Sequence, residues 1–160
     1  ILICGNHDAL INNKDRLDTI TPIINALNIP DIWFFKESGN YNDIYDPNIV
    51  YCVWSCLEDQ KDPQINKYKE KYDPDNKKTY ISLFHGQVQG CVTDQNFTFS
   101  EGFNINNFKS SSICMMGDIH KYQSFEIKND DNSKCPVAYC GSLISQNFSE
   151  SNDKGFISII

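Results

Sequence analysis

Short, mainly apolar runs recur along the chain, and each is followed at once by a glycine or a histidine. Four of them are residues 1–4, 80–84, 113–116 and 137–140. Apolar runs of about four to eight residues, bounded by turn signals, are typical of strands buried within a sheet. Residues 49–54 form a further run without a polar residue, and they predict a strand that is covered on both faces.

One segment has the periodicity of a helix. Its apolar residues recur at positions i, i+3, i+4 and i+7, which is the stripe of a helix packed on a sheet. They are Ile20, Ile23, Ile24 and Leu27. Thr21 and Pro22 predict the N-cap and the first position of this helix. Strands separated by short helices and loops predict an α/β fold, and the length of 160 residues predicts a single domain, residues 1–160.

Less regular segments connect these elements. Residues 31–35 and 122–127 predict two further strands, residues 38–40 a turn, and residues 105–108 a helical turn. Residues 58–78 are rich in lysine and contain two Asp-Pro pairs. They predict a solvated connection that has room for one helical turn. A phosphate-contacting surface formed by Lys67, Tyr68, Lys69 and Lys71 is the alternative, but no spacing argues for it.

The formal net charge of −7 disfavours a simple nucleic-acid-binding module, because phosphate contacts need lysine and arginine. It does not exclude an enzyme whose carboxylates hold metal ions, since such ions reverse the local field.

The seven cysteines include no Cys-x-x-Cys pair, which disfavours a zinc site built from them. Most lie in or beside apolar runs, as reduced, buried cysteines do, and this predicts an intracellular protein of the cytoplasm or nucleus. The chain has no apolar run of about 18 residues, so no membrane span is expected.

All three histidines of the chain follow a predicted strand. His7 belongs to the turn Cys4-Gly5-Asn6-His7-Asp8, His85 follows residues 80–84, and His120 follows residues 113–116. In open α/β sheets, ligands bind in the crevice beyond the carboxyl ends of the strands. We therefore expect the three histidines to share one crevice.

The polar residues at these turns are suited to metal binding. An amide oxygen from Asn6, imidazole nitrogens from His85 and His120 and a carboxylate from Asp118 form a set that suits Mn²⁺, Fe²⁺ or Zn²⁺ better than Ca²⁺. His7 beside Asp8 could steady a phosphoryl oxygen or protonate a leaving alkoxide. Taken singly, each residue could instead be structural, for example as a helix cap or turn residue.

Three motifs resemble one family. Gly5-Asn6-His7-Asp8 resembles the Gly-Asn-His-Asp signature of the calcineurin-like metallophosphoesterases, and Phe84-His85-Gly86 and Gly117-Asp118-Ile119-His120 resemble its later metal-binding motifs in the same order. Residues 117–123 and 139–150 are similar to the SbcD-type DNA repair nucleases, in which the nuclease subunit partners an SMC-like coiled-coil ATPase.

The resemblance implies a two-sheet β sandwich flanked by helices and a metal-dependent DNA exonuclease or endonuclease. Two divalent ions, with Mn²⁺ expected and Mg²⁺, Fe²⁺ or Zn²⁺ as alternatives, would activate water for in-line attack on a phosphodiester. Asn6 and His85 would bind one ion and His120 the other. His7 would be the catalytic histidine that contacts the scissile phosphate, and Asp8 would orient it. No membrane partner is implied, and a homodimer is left open.

The resemblance also implies residues beyond the metal ligands. Gly141 and Ser142 would shape the floor near the site, and Glu150 would be structural rather than catalytic.

Two departures from the family pattern change the expectation. The Asp-x-His and Gly-Asp-x-x-Asp motifs that precede Gly-Asn-His-Asp in the family are absent, so we expect a catalytic domain that is incomplete at its N-terminus and inactive by itself. Asp118 stands where the family has the first histidine of its last motif. As a metal ligand, this carboxylate would favour Mn²⁺ or Mg²⁺ over Zn²⁺.

Two other functions remain open at this point. The first is a phosphatase of the same fold that acts on phosphoproteins or small phosphoesters. The second is a binding scaffold that has lost catalysis, for which Asp118 is the best support.

Overall fold

A computed structural model describes residues 1–9, 17–148, 150–152 and 154–158 of the chain. The remaining residues of the predicted domain lie outside the described ones. They include Ser149, which belongs to the segment that is similar to the nucleases. The strands are β1 (Leu2–Ile3), β2 (Phe34–Phe35), β3 (Gly39–Asn42), β4 (Ile49–Trp54), β5 (Thr79–His85), β6 (Ile113–Gly117), β7 (Gln123–Lys128) and β8 (Lys134–Tyr139). The helices are α1 (Ile20–Leu27) and α2 (Ile65–Tyr72), and Cys56–Glu58 and Ile105–Phe108 form short 3₁₀ helices.

A six-stranded sheet dominates the fold, with the strand order β3-β4-β5-β6-β8-β7. Strands β4, β5, β6 and β8 are parallel, whereas β3 and β7 run antiparallel along the two edges. Strands β1 and β2 form a separate parallel pair. The predicted α/β class is thereby confirmed, and four parallel strands direct their carboxyl ends to one edge of the sheet.

The core lies on the parallel strands. In β4, Val50 and residues 52–54 are buried, as predicted for a strand with both faces covered. Strand β5 alternates instead, and its side chains Tyr80, Ser82 and Phe84 are fully buried. Phe84 packs on the ring of Phe108 at a centroid distance of 5.3 Å. This rigid layer supports the loops at the carboxyl edge.

The hydrophobic pattern of α1 predicts the position of the helix but not its burial. The helix spans the predicted residues, but none of its residues is buried, and Ile23 and Leu27 are 56% and 54% exposed. Ile20 packs on a small apolar cluster near Cys4. The prediction of a stripe packed on a sheet was therefore wrong, because the two-residue strands β1 and β2 present only a narrow surface.

The N-cap prediction for α1 was also wrong. Thr19 occupies the N-cap position, and the carboxylate of Asp18 accepts hydrogen bonds from the backbone N–H groups of Ile20 and Thr21 at 3.1 and 2.6 Å. A carboxylate satisfies these first N–H groups better than a threonine inside the helix could.

Two connections are more ordered than predicted. Residues 38–40 were expected to be a turn, but Gly39 and Asn40 belong to β3 and pair with β4. Within residues 58–78, α2 is a helix of eight residues whose Ile65 is buried and whose Tyr68 packs edge-on to Tyr80. The helical turn at Ile105–Phe108 is confirmed.

All seven cysteines are free thiols. Six are buried, as predicted, and Cys140 is exposed. Among the described residues, no helix has the length and apolar character needed to cross a membrane.

Candidate functional site

The opening turn is closed by Asp8. One oxygen of its carboxylate accepts the backbone N–H of Gly5 at 3.1 Å, and the other accepts the hydroxyl of Thr19 at 3.1 Å. The backbone N–H of Ala9 donates to the carbonyl of Gly5 at 2.9 Å. Asp8 therefore fixes the turn that carries His7, whose side chain is exposed.

Three of the predicted ligands converge beside this turn. The distance from His85 Nε2 to Asn6 Oδ1 is 3.2 Å, and that from His85 Nε2 to Asp118 Oδ1 is 3.6 Å. The Asn6 amide nitrogen donates to Asp118 Oδ1 at 3.2 Å. We call Asn6, His85 and Asp118 the open cluster, because its carboxylate, that of Asp118, keeps 25% of its exposure to solvent.

Two glycines enclose the imidazole of His85. A Cβ atom at Gly5 would lie 2.9 Å from His85 Cε1, and one at Gly117 would lie 2.9 Å from His85 Nδ1. Both distances are shorter than carbon-to-ring contacts allow, so any other residue at either position would displace the ring. Gly117 pairs with His85 across β5 and β6, which explains the close approach.

The backbone around the open cluster is constrained as well. Asp118 has a φ angle of +96°, a conformation that few residues other than glycine adopt and that asparagine and aspartate tolerate best. On the other side, the amide nitrogen of Gln60 donates to the carbonyl of His85 at 3.0 Å. Strained backbone of this kind is concentrated at functional sites.

The imidazole of His85 is held in its neutral form. Burial lowers its pKa below the ordinary value, and the nearby carboxylate of Asp118 opposes this shift. A neutral imidazole is the form that binds a metal ion, so the environment of His85 favours metal binding.

We call His120, Ser142, Glu150 and Lys154 the closed cluster, because the carboxylate of Glu150 is almost completely buried. In this cluster His120, whose side chain is 39% exposed, has a different environment. Its Nδ1 lies 2.8 Å from Oε1 of Glu150, whose side chain is only 2% exposed. The other oxygen of Glu150 accepts hydrogen bonds from the Ser142 hydroxyl at 2.9 Å and from the Lys154 ammonium at 2.8 Å. Gly141 has a φ angle of +78° and brings the Ser142 backbone N–H to 3.1 Å from the carbonyl of His120.

Glu150 is consequently ionised over the whole neutral range. The hydrogen bond from Lys154, aided by those from His120 and Ser142, lowers the pKa of Glu150 to about 2 although burial opposes the shift. With an anionic acceptor at Nδ1, the neutral imidazole of His120 carries its proton there and presents Nε2 as a ligand, the arrangement found in carboxylate–histidine–metal triads.

The two clusters border neighbouring clefts. A cleft of about 550 Å³ is lined by Asn6, Asp118 and His120 together with residues from the loop 93–99. A second cleft, of about 400 Å³, is lined by His85 and shares Asn6 and Asp118 with the first. The walls of both clefts, as far as the described residues form them, do not include His7, which lies next to Asn6 in sequence.

Two spacings in the open cluster can be compared with those between the ligands of one ion. Ligands about 2.1 Å from the same ion are separated by roughly 3.0–3.4 Å, close to the spacings of 3.2 and 3.6 Å around His85 Nε2. In the described part of the chain, no group of three or more histidine, cysteine or acidic residues could hold a metal ion. The open cluster contains two such residues, and its third donor is the amide of Asn6.

Sequence reasoning did not identify Glu150 as the partner of His120. Glu150 was expected to be structural rather than catalytic, and Lys154 and Gln60 were not considered. The spacing of Glu150 and Lys154 at i and i+4 was a detectable signal. Nothing in the sequence indicated that the loop 93–99 would line the cleft.

No protein-family model matches the chain, and no solved structure does. Over 156 residues the chain is 38% identical to the uncharacterized protein R555 of Acanthamoeba polyphaga mimivirus. The match covers 94% of this chain and spans 11% of the length of that viral protein. The name of the relative assigns no activity, so a function has to be argued from the site.

Proposed function

We propose that the protein is a metal-dependent phosphodiesterase that acts on DNA. The observation that carries this proposal is the approach of Asn6 Oδ1 and Asp118 Oδ1 to His85 Nε2, at 3.2 and 3.6 Å, at the carboxyl edge of parallel strands. This is the edge at which α/β sheets bind their ligands, and the exposed imidazole of His7 adjoins it.

Asn6, His85 and Asp118 would hold one divalent ion, and Nε2 of His120 would bind a second. Such ions supply positive charge that activates water and neutralises a phosphate. The carboxylate of Asp118 favours Mn²⁺ or Mg²⁺ over Zn²⁺, and the neutral imidazole of His85 supports binding at neutral pH.

His7 would act on the substrate. Its side chain is exposed while the turn beneath it is fixed by the hydrogen bonds of Asp8. An imidazole held in this way can donate a proton to a leaving oxygen or stabilise a developing charge on a phosphoryl oxygen. In this proposal Asp8 positions His7 through the backbone of the turn.

The proposal includes the fold family and the partners that the sequence motifs imply. The six-stranded sheet and the β1–β2 pair would be parts of a metallophosphoesterase-type two-sheet sandwich, whose remaining ligands come from Asp-x-His and Gly-Asp-x-x-Asp motifs. An SMC-like coiled-coil ATPase would be the partner. The net charge of −7 is compatible with a DNA substrate only when metal ions compensate for it.

The test is Mn²⁺-dependent hydrolysis of bis(4-nitrophenyl) phosphate and then of single- and double-stranded DNA. The polypeptide should join this chain to the two upstream motifs. We expect turnover that requires Mn²⁺ and that falls about 10²- to 10⁴-fold in His7→Ala, because proton transfer by a positioned side chain contributes about this much.

Mn²⁺ binding by the same polypeptides is the control. His7→Ala should bind Mn²⁺ as the unsubstituted protein does, since His7 is not among the proposed ligands. Unchanged turnover in His7→Ala would contradict the role of this residue. A folded, metal-loaded protein that hydrolyses neither ester nor DNA would favour the binding scaffold, and hydrolysis of phosphomonoesters alone would favour the phosphatase.

A further inference from the structure

The loop 93–99 forms a preorganised wall of the larger cleft. The backbone N–H of Thr93 donates to the carbonyl of Phe97 at 2.9 Å, and the N–H of Phe99 donates to the carbonyl of Cys91 at 3.0 Å. Gln123 secures the start of the loop, because its amide group exchanges two hydrogen bonds of 2.9 Å with the backbone of Val92. The loop is thus anchored to strand β7 rather than free at the surface.

Phe97 and Phe99 differ in what they do within this loop. Phe99 is half-buried and packs on the main core. Phe97 lines the same cleft but is 60% exposed. The two rings meet edge to face, with centroids 5.2 Å apart and planes at 89°. Phe99 therefore fixes the orientation of the Phe97 ring, although the core does not require that ring.

The surroundings of Phe97 are polar and include a cation. Thr93, Asp94 and Gln95 line the cleft with it, and their side chains offer hydrogen-bond donors and acceptors there. Lys121, the residue after His120, donates to the side chain of Asn96 at 2.9 Å. An exposed aromatic ring beside hydrogen-bonding groups and a lysine is the combination that binds single-stranded nucleic acid.

We infer that Phe97 is a stacking platform for one unpaired nucleobase of a single-stranded DNA substrate. The inference rests on the proposed function and makes it more specific, because it names the part of the substrate that the cleft recognises. Asn6, Asp118 and His120 line the same cleft, so a base on Phe97 would be joined through its sugar to a phosphate near the metal ligands. Lys121 would contact a neighbouring phosphate.

The test compares binding of two phosphorothioate oligonucleotides in the presence of Mn²⁺. One is a short oligothymidylate, and the other is an abasic strand of the same length. By fluorescence anisotropy, we expect the 160-residue chain to bind the abasic strand about tenfold more weakly or worse, because stacking of one base on an aromatic side chain contributes this much. In Phe97→Ala the two strands should bind equally.

Two further variants complete the test. Phe97→Trp should restore the preference for the strand that carries bases, and its tryptophan fluorescence should be quenched by that strand alone. Phe148→Ala is the matched control, because Phe148 is fully exposed and does not line the cleft. It should keep the preference.

The inference is overturned if the unsubstituted chain binds both strands equally or binds neither. If Phe97→Ala lowers the affinity for both strands by the same factor, the inference is also overturned, because Phe97 would then have a structural role. The readout needs no turnover. A preference that depends on Phe97, without Mn²⁺-dependent hydrolysis by the joined polypeptide, would therefore support the subsite and reject the proposed reaction.

Discussion

His85 and His120 both lie at the carboxyl edge of the sheet, yet their surroundings differ in charge balance. In the open cluster, His85 has the carboxylate of Asp118 at 3.6 Å and the amide of Asn6 at 3.2 Å. In the closed cluster, Glu150 is 2.8 Å from both the imidazole of His120 and the ammonium of Lys154.

The difference shows what each carboxylate is available to do. The charge of Glu150 is already balanced by Lys154, and its side chain is almost completely buried. Among the described residues, the imidazole of His85 lies 3.6 Å from the carboxylate of Asp118, and burial lowers the pKa of this imidazole and so disfavours its charged form. A carboxylate without a cationic partner, beside two further donors, favours the arrival of an ion. The open cluster therefore offers the donors that the proposed metal ion would need, whereas the closed cluster holds one imidazole in a fixed orientation.

Substitution of a histidine should have the largest effect on Mn²⁺ binding, and this effect should differ between the two clusters. In the 160-residue chain, we expect His85→Ala to weaken Mn²⁺ binding by about 100-fold or more, because loss of a ligand costs more than the 10- to 100-fold loss typical of an outer partner. His120→Ala should change the affinity little, since we propose that the first ion binds in the open cluster. Isothermal titration calorimetry measures both. Equal losses in the two variants would show that the clusters bind one ion together.

Two glycine substitutions should disturb the clusters separately, with smaller effects. Gly117→Ala places a Cβ 2.9 Å from His85 Nδ1. It should weaken Mn²⁺ binding about tenfold, as outer-shell changes do, with little change in stability.

Gly141→Ala is the counterpart of that variant in the closed cluster. It forces alanine to a φ angle of +78° and brings its Cβ to 2.8 Å from the carbonyl of His120. It should reduce the free energy of unfolding by about 1–2 kcal/mol and leave Mn²⁺ binding unchanged. Urea denaturation measures the stability of both variants, and calorimetry measures their Mn²⁺ binding. If Gly141→Ala weakened Mn²⁺ binding and Gly117→Ala lowered stability instead, the assignment of the two clusters would be contradicted.

The open cluster could be predicted from the sequence for a simple reason. Apolar runs that end in polar residues indicate parallel strands, and the carboxyl ends of parallel strands meet at one edge whatever the connections are. His85 ends β5 and Asp118 directly follows β6, so their meeting requires only the correct order of strands in the six-stranded sheet. Asn6 lies three residues after β1 of the separate pair, and it reaches the same edge.

The closed cluster and the helix surface could not be predicted in this way. Glu150 lies 30 residues from His120 in a segment without regular structure, so no strand or helix period relates them. The apolar residues of α1 recur with the period of a helix. That period does not show how much protein surface is available to cover them, and Ile23 and Leu27 stay exposed. At Gly39, pairing with β4 outweighs the local turn preference.

The smallest predicted effect concerns the proton on His120, and it tests whether Glu150 is a positioning residue. In Glu150→Gln the anionic acceptor at Nδ1 becomes an amide that can donate or accept. We expect the neutral imidazole to change from one dominant tautomer, with the proton on Nδ1, to a mixture of two, while the tautomer of His85 stays as it is. Nitrogen NMR of both imidazoles at mildly alkaline pH measures this directly. A purely structural Glu150 would lower stability in the variant without changing the tautomer of His120. Retention of the Nδ1 proton in folded Glu150→Gln would therefore remove Glu150 from the proposed site.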